Sequence, residues 1–236
     1  DKRMRFSDPT FPRKAFGKIR FGENGDVMCS GTLVGPRHVL TNAHCIDTQY
    51  PMYFFPSYNN GDYLDKTPKT TWVTYMYVGT NTATTPVNDV SWRSSVFERE
   101  SDWATLILNE NVGNEFGWLD VSPWRSEWLN QAIIYNVSYA VAGTINNYGE
   151  YPLFQDNCRI REDLGNYYWH DCDTNGGASG SSLVTVANNK NYIVALHNTG
   201  YGNDPCPSFS PGTCSNGAVK TESFIGTLNR ALQEYP

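Results

Sequence analysis

Between Asp171 and Ser182 the chain reads DCDTNGGASGSS: Gly176, Gly177 and Ala178 precede Ser179, and Gly180 and Ser181 follow it. Glycine lets a backbone turn tightly and leaves its N–H groups uncovered, the condition for a cradle of main-chain donors beside a nucleophilic hydroxyl. Ser179 is therefore the candidate nucleophile, although the stretch taken alone reads equally well as a flexible Gly/Ser turn between strands. A serine hydroxyl attacks only when a base takes its proton, and imidazole titrates close to working pH. Two other stretches supply a base and an acid to orient it: Thr41-Asn42-Ala43-His44-Cys45, and Ser101-Asp102 at the head of Trp103-Ala104-Thr105-Leu106-Ile107-Leu108. Ala104, Leu106 and Leu108 share one strand face, so Asp102 stands where the strand enters the core, and a carboxylate there needs a partner.

The elements that must position these residues read as strands. VMCSGTLV at 27–34 and HVLT at 38–41 are separated by Gly35-Pro36 and predict a hairpin that ends at His44. Six cysteines stand at 29, 45, 158, 172, 206 and 214, with no CxxC spacing, so they predict disulfides in an oxidising compartment rather than a metal site. Short loops close most easily, which favours the pairs Cys29–Cys45, Cys158–Cys172 and Cys206–Cys214. Cys172 has an alternative partner in Cys206 or Cys214. The first bridge would hold the His44 loop against the sheet, for roughly 3 kcal/mol on chain-entropy arithmetic. Further strand-like runs are 15–21, 72–78, 133–145, 167–169, 182–187 and 192–196, while 46–70 and 79–100 read as loops. The region 109–130, with Trp118, Trp124 and Trp128, reads as a connection between halves. Helical spacing occurs at the end, where Phe224, Ile225, Leu228, Ala231 and Leu232 follow Thr221 as a candidate cap.

Composition narrows the function classes. The chain has 236 residues, 39% hydrophobic, 14% aromatic and 18% charged, which suits an all-β unit with a large core. A net charge of −6 gives no basic face for nucleic acid, and no apolar run is long enough to span a membrane. DKRMRF lacks the apolar segment of a signal peptide, so any targeting segment is expected to be gone already. The sequon Asn136-Val137-Ser138 lies in an apolar, strand-like run.

TNAHC, SDWATLIL and GASGS occur in that order, with 58 residues from His44 to Asp102 and 77 from Asp102 to Ser179. Here the chain resembles the chymotrypsin-fold serine proteases, whose triad runs His, Asp, Ser along the chain. Their TAAHC motif is altered only at Asn42. The resemblance implies two antiparallel β-barrels with a C-terminal helix. Residues 1–118 would form an N-terminal arm and the first barrel with His44 and Asp102, and residues 119–236 the second barrel with Ser179. It also implies peptide hydrolysis with His44 as base, Asp102 holding its tautomer, and the N–H groups of Gly177 and Ser179 holding the oxyanion. DKR followed by TFPRKA near the start, and VALHNTG and SNGAVKTESFIGTL near the end, are most similar to the glutamyl endopeptidase (V8-like) branch. That likeness implies cleavage after Glu, and more slowly after Asp, with Thr174 and His197 binding the acidic side chain.

Asp173 points the other way, because it stands where trypsin-type relatives keep the acid that binds Lys or Arg. Ala178 occupies the place of the aspartate that receives the new N-terminus in digestive relatives, so that activation switch is absent, and the branch implies instead a pro-segment ending before Asp1. The whole predicts a secreted, monomeric enzyme acting on polypeptides, without cofactor or metal and without nucleic-acid or membrane partners. A catalytically dead binding module on the same fold is the competing class. His38 and His170 are expected to be packing or surface residues.

Overall fold

The computed structural model describes residues 1–8, 10–21, 27–47, 49–60, 62–63, 71–79, 81–86, 99–143, 147–201, 210 and 214–236. Among the described residues the first unit is a seven-stranded antiparallel sheet, in the order Ala104–Leu108, His38–Thr41, Val27–Leu33, Phe16–Phe21, Met52–Pro56, Thr71–Val78 and Asn81–Pro86, of which the first six form a barrel. Thr71–Val78 returns to pair with Ala104–Leu108, which closes the barrel and removes its edges. Alternation along the strands fills the interior: Ile19, Leu33, Val39, Phe54, Met76, Leu106 and Leu108 are all buried in one cluster.

The second unit is a sheet curled into a half-barrel. Its order is Met4–Arg5, Leu153–Cys158, Ile134–Ser138, Ser182–Ala187, Lys190–Tyr201, Ser215–Lys220, Tyr167–His170 and Ile160–Asp163, with Asp120–Val121 parallel to Lys190–Tyr201. The N-terminal arm thus adds its strand to this second sheet, although its sequence position sets it beside the first barrel. A second cluster joins the two units: Phe16, Leu40, Tyr77, Trp103 and Ile107 from the first meet Val137, Val184, Leu196 and Val219 from the second. The closing helix Ile225–Glu234 packs there through Leu228 and Ala231. The all-β, two-barrel architecture with a C-terminal helix is as expected.

Local readings differ in places. Met52–Pro56, Asn81–Pro86, Leu153–Cys158 and Ile160–Asp163 are strands where no strand was read. The apolar run at 133–145 breaks after Ser138. Thr221 starts a short 3-10 turn and donates to the Ser122 carbonyl (3.2 Å), so it does not cap the helix. Gly113–Phe116 makes one further helical turn in the connection. Asn136 is buried and its amide donates to Ser181 Oγ (3.0 Å) and the Ser182 carbonyl (3.1 Å), so the folded sequon offers no nitrogen to a glycan. Two expected disulfides are present, Cys29–Cys45 and Cys158–Cys172; Cys214 is also disulfide-bonded, and its expected partner Cys206 lies outside the described residues. No helix among the described residues is long and apolar enough to cross a membrane.

Candidate active site

His44 sits in the single turn Ala43–Cys45 that follows the strand His38–Thr41, and the Cys29–Cys45 bridge ties that turn to the next strand of the barrel. Asp102 precedes the neighbouring strand Ala104–Leu108, which pairs with His38–Thr41. Register therefore brings the two residues together across 58 positions of sequence. Asp102 Oδ2 lies 2.7 Å from His44 Nδ1, and Oδ1 accepts the His44 backbone N–H at 3.0 Å. A carboxylate can only accept, so the proton sits on Nδ1 and the His44 lone pair is on Nε2. The Asp102 side chain is 10% exposed and that of His44 40%, which leaves the base reachable from solvent while its anchor is enclosed. Asn42, at the altered motif position, donates to the Asp102 carbonyl (2.8 Å).

Ser179 is half-buried, and its loop is fastened to both units. The Ser30 N–H donates to the Ser179 carbonyl (2.8 Å), and the Gly180 N–H to the His197 carbonyl (3.0 Å). Gly180 has φ +79°, and a Cβ there would lie 2.2 Å from Thr41 Oγ1 and 2.3 Å from the Ser30 carbonyl, so only glycine lets the loop approach the His44 strand so closely. Gly177, at φ +91°, faces the Tyr139 carbonyl in the same way at 2.6 Å.

Bare donors flank the serine. The Gly176 carbonyl accepts the Val141 N–H (2.8 Å), and a trans peptide points its C=O and N–H in opposite directions, so the Gly177 N–H faces away from Val141. The Ala178 carbonyl accepts from Ser181 (2.9 Å), which turns the Ser179 N–H outward by the same rule. Among the described residues neither N–H has an acceptor. The Ser30 hydroxyl holds this turn: it donates to the Gly177 carbonyl and accepts from the Tyr139 N–H, both at 2.8 Å.

Ser179 lines a cavity of about 250 Å3 with Thr174, Asn175, Gly176, His197, Gly200 and Asn216. Thr174 is 9% exposed, and its hydroxyl has no hydrogen-bond partner among the described residues. His197 is buried, and burial, with the electrostatic influence of neighbouring His44, lowers its pKa to about 3. His170, which sequence alone assigns to packing or surface, is its partner: Nε2 lies 3.0 Å from His197 Nδ1, with the rings nearly perpendicular. Burial, then His197, holds His170 well below the usual imidazole range, so this is a neutral pair in which one N–H meets the other's lone pair. His38 is buried beneath the helix, 3.2 Å from the Ala231 carbonyl. Asp173 does not line the cavity. Its carboxylate accepts the Lys2 backbone N–H (2.6 Å) and its own N–H goes to Gln155 (2.7 Å), so the N-terminal segment has taken the acid.

Asn198 has no counterpart in the sequence reading. Its amide donates to Asp102 Oδ2 (3.2 Å) and the Arg99 carbonyl (3.1 Å), and its oxygen accepts from the Tyr167 hydroxyl. The only signal for it was its place beside His197 at the end of an apolar run. Near His44, the Cys29 and Cys45 sulfurs are spent in a disulfide, so this cluster offers no thiolate to a metal.

The sequence matches the trypsin-like peptidase domain over residues 29–196, and the chain belongs to that family. A search of curated proteins finds no match. Among solved structures, a Glu endopeptidase is similar at 23% identity and TM-score 0.73, over 99% of this chain and 97% of the other. The protease Anisep from Arthrobacter nicotinovorans is similar at 19% and 0.69, over 98% and 99%. The thermostable serine protease AL20 from an extremophilic microorganism follows at 16% and 0.65, over 94% and 98%.

Proposed function

We propose that the chain is an exported serine endopeptidase that cleaves after glutamate, and more slowly after aspartate, through an acyl-enzyme on Ser179. In this reading His44 Nε2 takes the Ser179 proton as Oγ attacks the scissile carbonyl. Asp102 keeps the proton on Nδ1 and stabilises the imidazolium. The Gly177 and Ser179 N–H groups meet the oxyanion, each worth roughly 10²–10³ in turnover. His44 then protonates the leaving amine, and water repeats the sequence in reverse on the acyl group. Export is supported by the two observed bridges and the bonded Cys214.

One observation carries the specificity: the unpartnered Thr174 hydroxyl and the His197 imidazole line the cavity that holds Ser179, while Asp173 faces the N-terminal segment. A hydroxyl and an imidazole N–H can both donate to a carboxylate, whereas a lysine or arginine side chain would find no anion among the described residues of this lining. Fluorogenic peptides differing only in Glu or Arg before the scissile bond test this. Glu preferred, with turnover abolished in Ser179→Ala, is expected; Arg preferred would return the pocket to Asp173. No turnover by the intact chain would leave a binding module.

A further inference from the structure

Asparagine followed by glycine is a labile pair, because the glycine nitrogen can attack the asparagine side chain with no Cβ in its way. Four such pairs occur here: Asn24-Gly25, Asn60-Gly61, Asn175-Gly176 and Asn216-Gly217. The first lies outside the described residues, as does Gly61. Asn216-Gly217 is locked: it stands in the strand Ser215–Lys220, between Tyr167–His170 and Lys190–Tyr201, and Asn216 Nδ2 donates to the Cys172 carbonyl (2.6 Å). Asn175 and Gly176 are instead exposed, in the loop that leads to Ser179 and outside any strand or helix. The Gly176 N–H donates to Asn175 Oδ1 at 2.8 Å, so the nitrogen lies against the very carbonyl group it would attack. Asn175 Nδ2, the group that would leave, has no partner among the described residues. A Cβ at Gly176 would meet nothing within 4 Å, which leaves the peptide room to turn.

We propose that Asn175 is a modification site, at which spontaneous deamidation adds a carboxylate to the wall of the Ser179 cavity and turns that cavity against acidic side chains. The Gly176 nitrogen gives up its proton and bonds to Asn175 Cγ; the Cγ–Nδ2 bond breaks, and Nδ2 leaves as ammonia with that proton. One water then opens the five-membered imide. Opening at Cγ gives aspartate, and opening at the main-chain carbonyl gives isoaspartate, with one carbon more in the backbone. The sum is one water consumed and one ammonia released, with no change of oxidation state. Either product places an anion on the lining that Asn175 shares with Thr174 and His197. Two carboxylates about 7 Å apart at an effective dielectric constant of about 35 repel enough to cost a Glu substrate about tenfold in kcat/KM, while an uncharged side chain is spared. Isoaspartate also displaces the Gly176 carbonyl, which accepts the Val141 N–H (2.8 Å), and so loosens the Gly177 N–H beside the serine for every substrate. The loss of acid preference rests on the Glu reading above; the modification itself does not.

Ser179→Ala protein, which cannot digest itself, is held in mildly alkaline buffer and mapped by peptide mass spectrometry over time, beside a synthetic peptide of residues 173–181. A gain of about one dalton at Asn175 is expected, part of it isoaspartate by enzymatic methylation, with Asn216 unchanged. Its rate should lie within about tenfold of that in the free peptide, because an exposed loop opens at little cost. Slower conversion, or conversion confined to Asn24 or Asn60, overturns the site. In the active chain, kcat/KM for a Glu peptide is divided by that for its Gln counterpart within one preparation, so that self-digestion cancels. This ratio should fall about tenfold in step with conversion, and Asn175→Asp should start at the lowered value. Asn175→Gln, whatever its starting ratio, should hold that ratio through the same ageing, because its ring would need six members. A ratio that stays constant while Asn175 converts, or that falls equally in Asn175→Gln, overturns the effect of the new charge. Conversion at Asn175 in a chain that does not prefer Glu when fresh would refute the Glu reading and leave the modification standing.

Discussion

Asn198→Asp keeps the shape of the side chain and exchanges a donor for a charge, 3.2 Å from Asp102 Oδ2. Both positions are enclosed, Asn198 at 6% exposure and Asp102 at 7%. Two unit charges at that separation repel by about 5 kcal/mol at an effective dielectric constant of about 20. A carboxyl group can escape by taking up a proton, which at pH 7 costs about 4 kcal/mol for a side chain of ordinary pKa near 3.9. Protonation is the smaller cost, so the variant is expected to lose about 4 kcal/mol of stability at pH 7. Its folded state then holds one proton more than its unfolded state. Stability relative to the parent must therefore recover as pH falls from 7 toward 4, by about 1.4 kcal/mol per unit. Urea unfolding of both proteins on a Ser179→Ala background, which prevents self-digestion, measures the difference at pH 7, 6 and 5. A cost under about 1 kcal/mol, or a gap that widens in acid, would refute the placement of Asn198 against Asp102.

Other outcomes follow from the same geometry. Ser30→Ala leaves the Gly177 carbonyl and the Tyr139 N–H without their partner, so it should cost about 3 kcal/mol in urea unfolding and lower kcat more than KM changes, because the donors beside Ser179 lose their support. His197→Gln should lower kcat/KM for a Glu substrate by about tenfold or more while moving an uncharged one much less, as steady-state kinetics on the pair would read. The acid limb of stability belongs partly to the imidazole pair. His170 and His197 have depressed folded pKa values and unfolded values near 6.5, so their contribution is complete above pH 6.5 and is lost as pH falls, at up to about 1.4 kcal/mol per unit each. Between pH 7 and pH 5 the Ser179→Ala protein should lose about 4 kcal/mol, and a flat profile would mean the pair is not buried and neutral.

What the sequence made legible is what short range encodes. TNAHC and SDWATLIL each carry their own strand context, and pairing of His38–Thr41 with Ala104–Leu108 was enough to set His44 against Asp102. The glycines beside Ser179 announced a tight backbone because nothing larger fits at Gly177 or Gly180. The surroundings that sequence does not disclose are set by distant partners, and for Lys18 and Asn198 those partners lie across the seam between the units. In Phe16–Phe21 a period of two puts Ile19 into the barrel and turns Phe16, Lys18 and Arg20 outward. An outward lysine reads as solvated, yet Lys18 is fully buried, because Glu150 and Tyr58 cover that stretch of the outer face. His170 and Asn198 follow the same logic, each carrying an ordinary polar label until a partner 27 or 96 residues away arrives, and Asp173, read as a candidate pocket acid, is taken by Lys2 from 171 residues away. Alternation tells which side chains leave a barrel. Only the docking of the second sheet decides which of them become buried, as it does at Lys18, which Glu150 of the second unit covers.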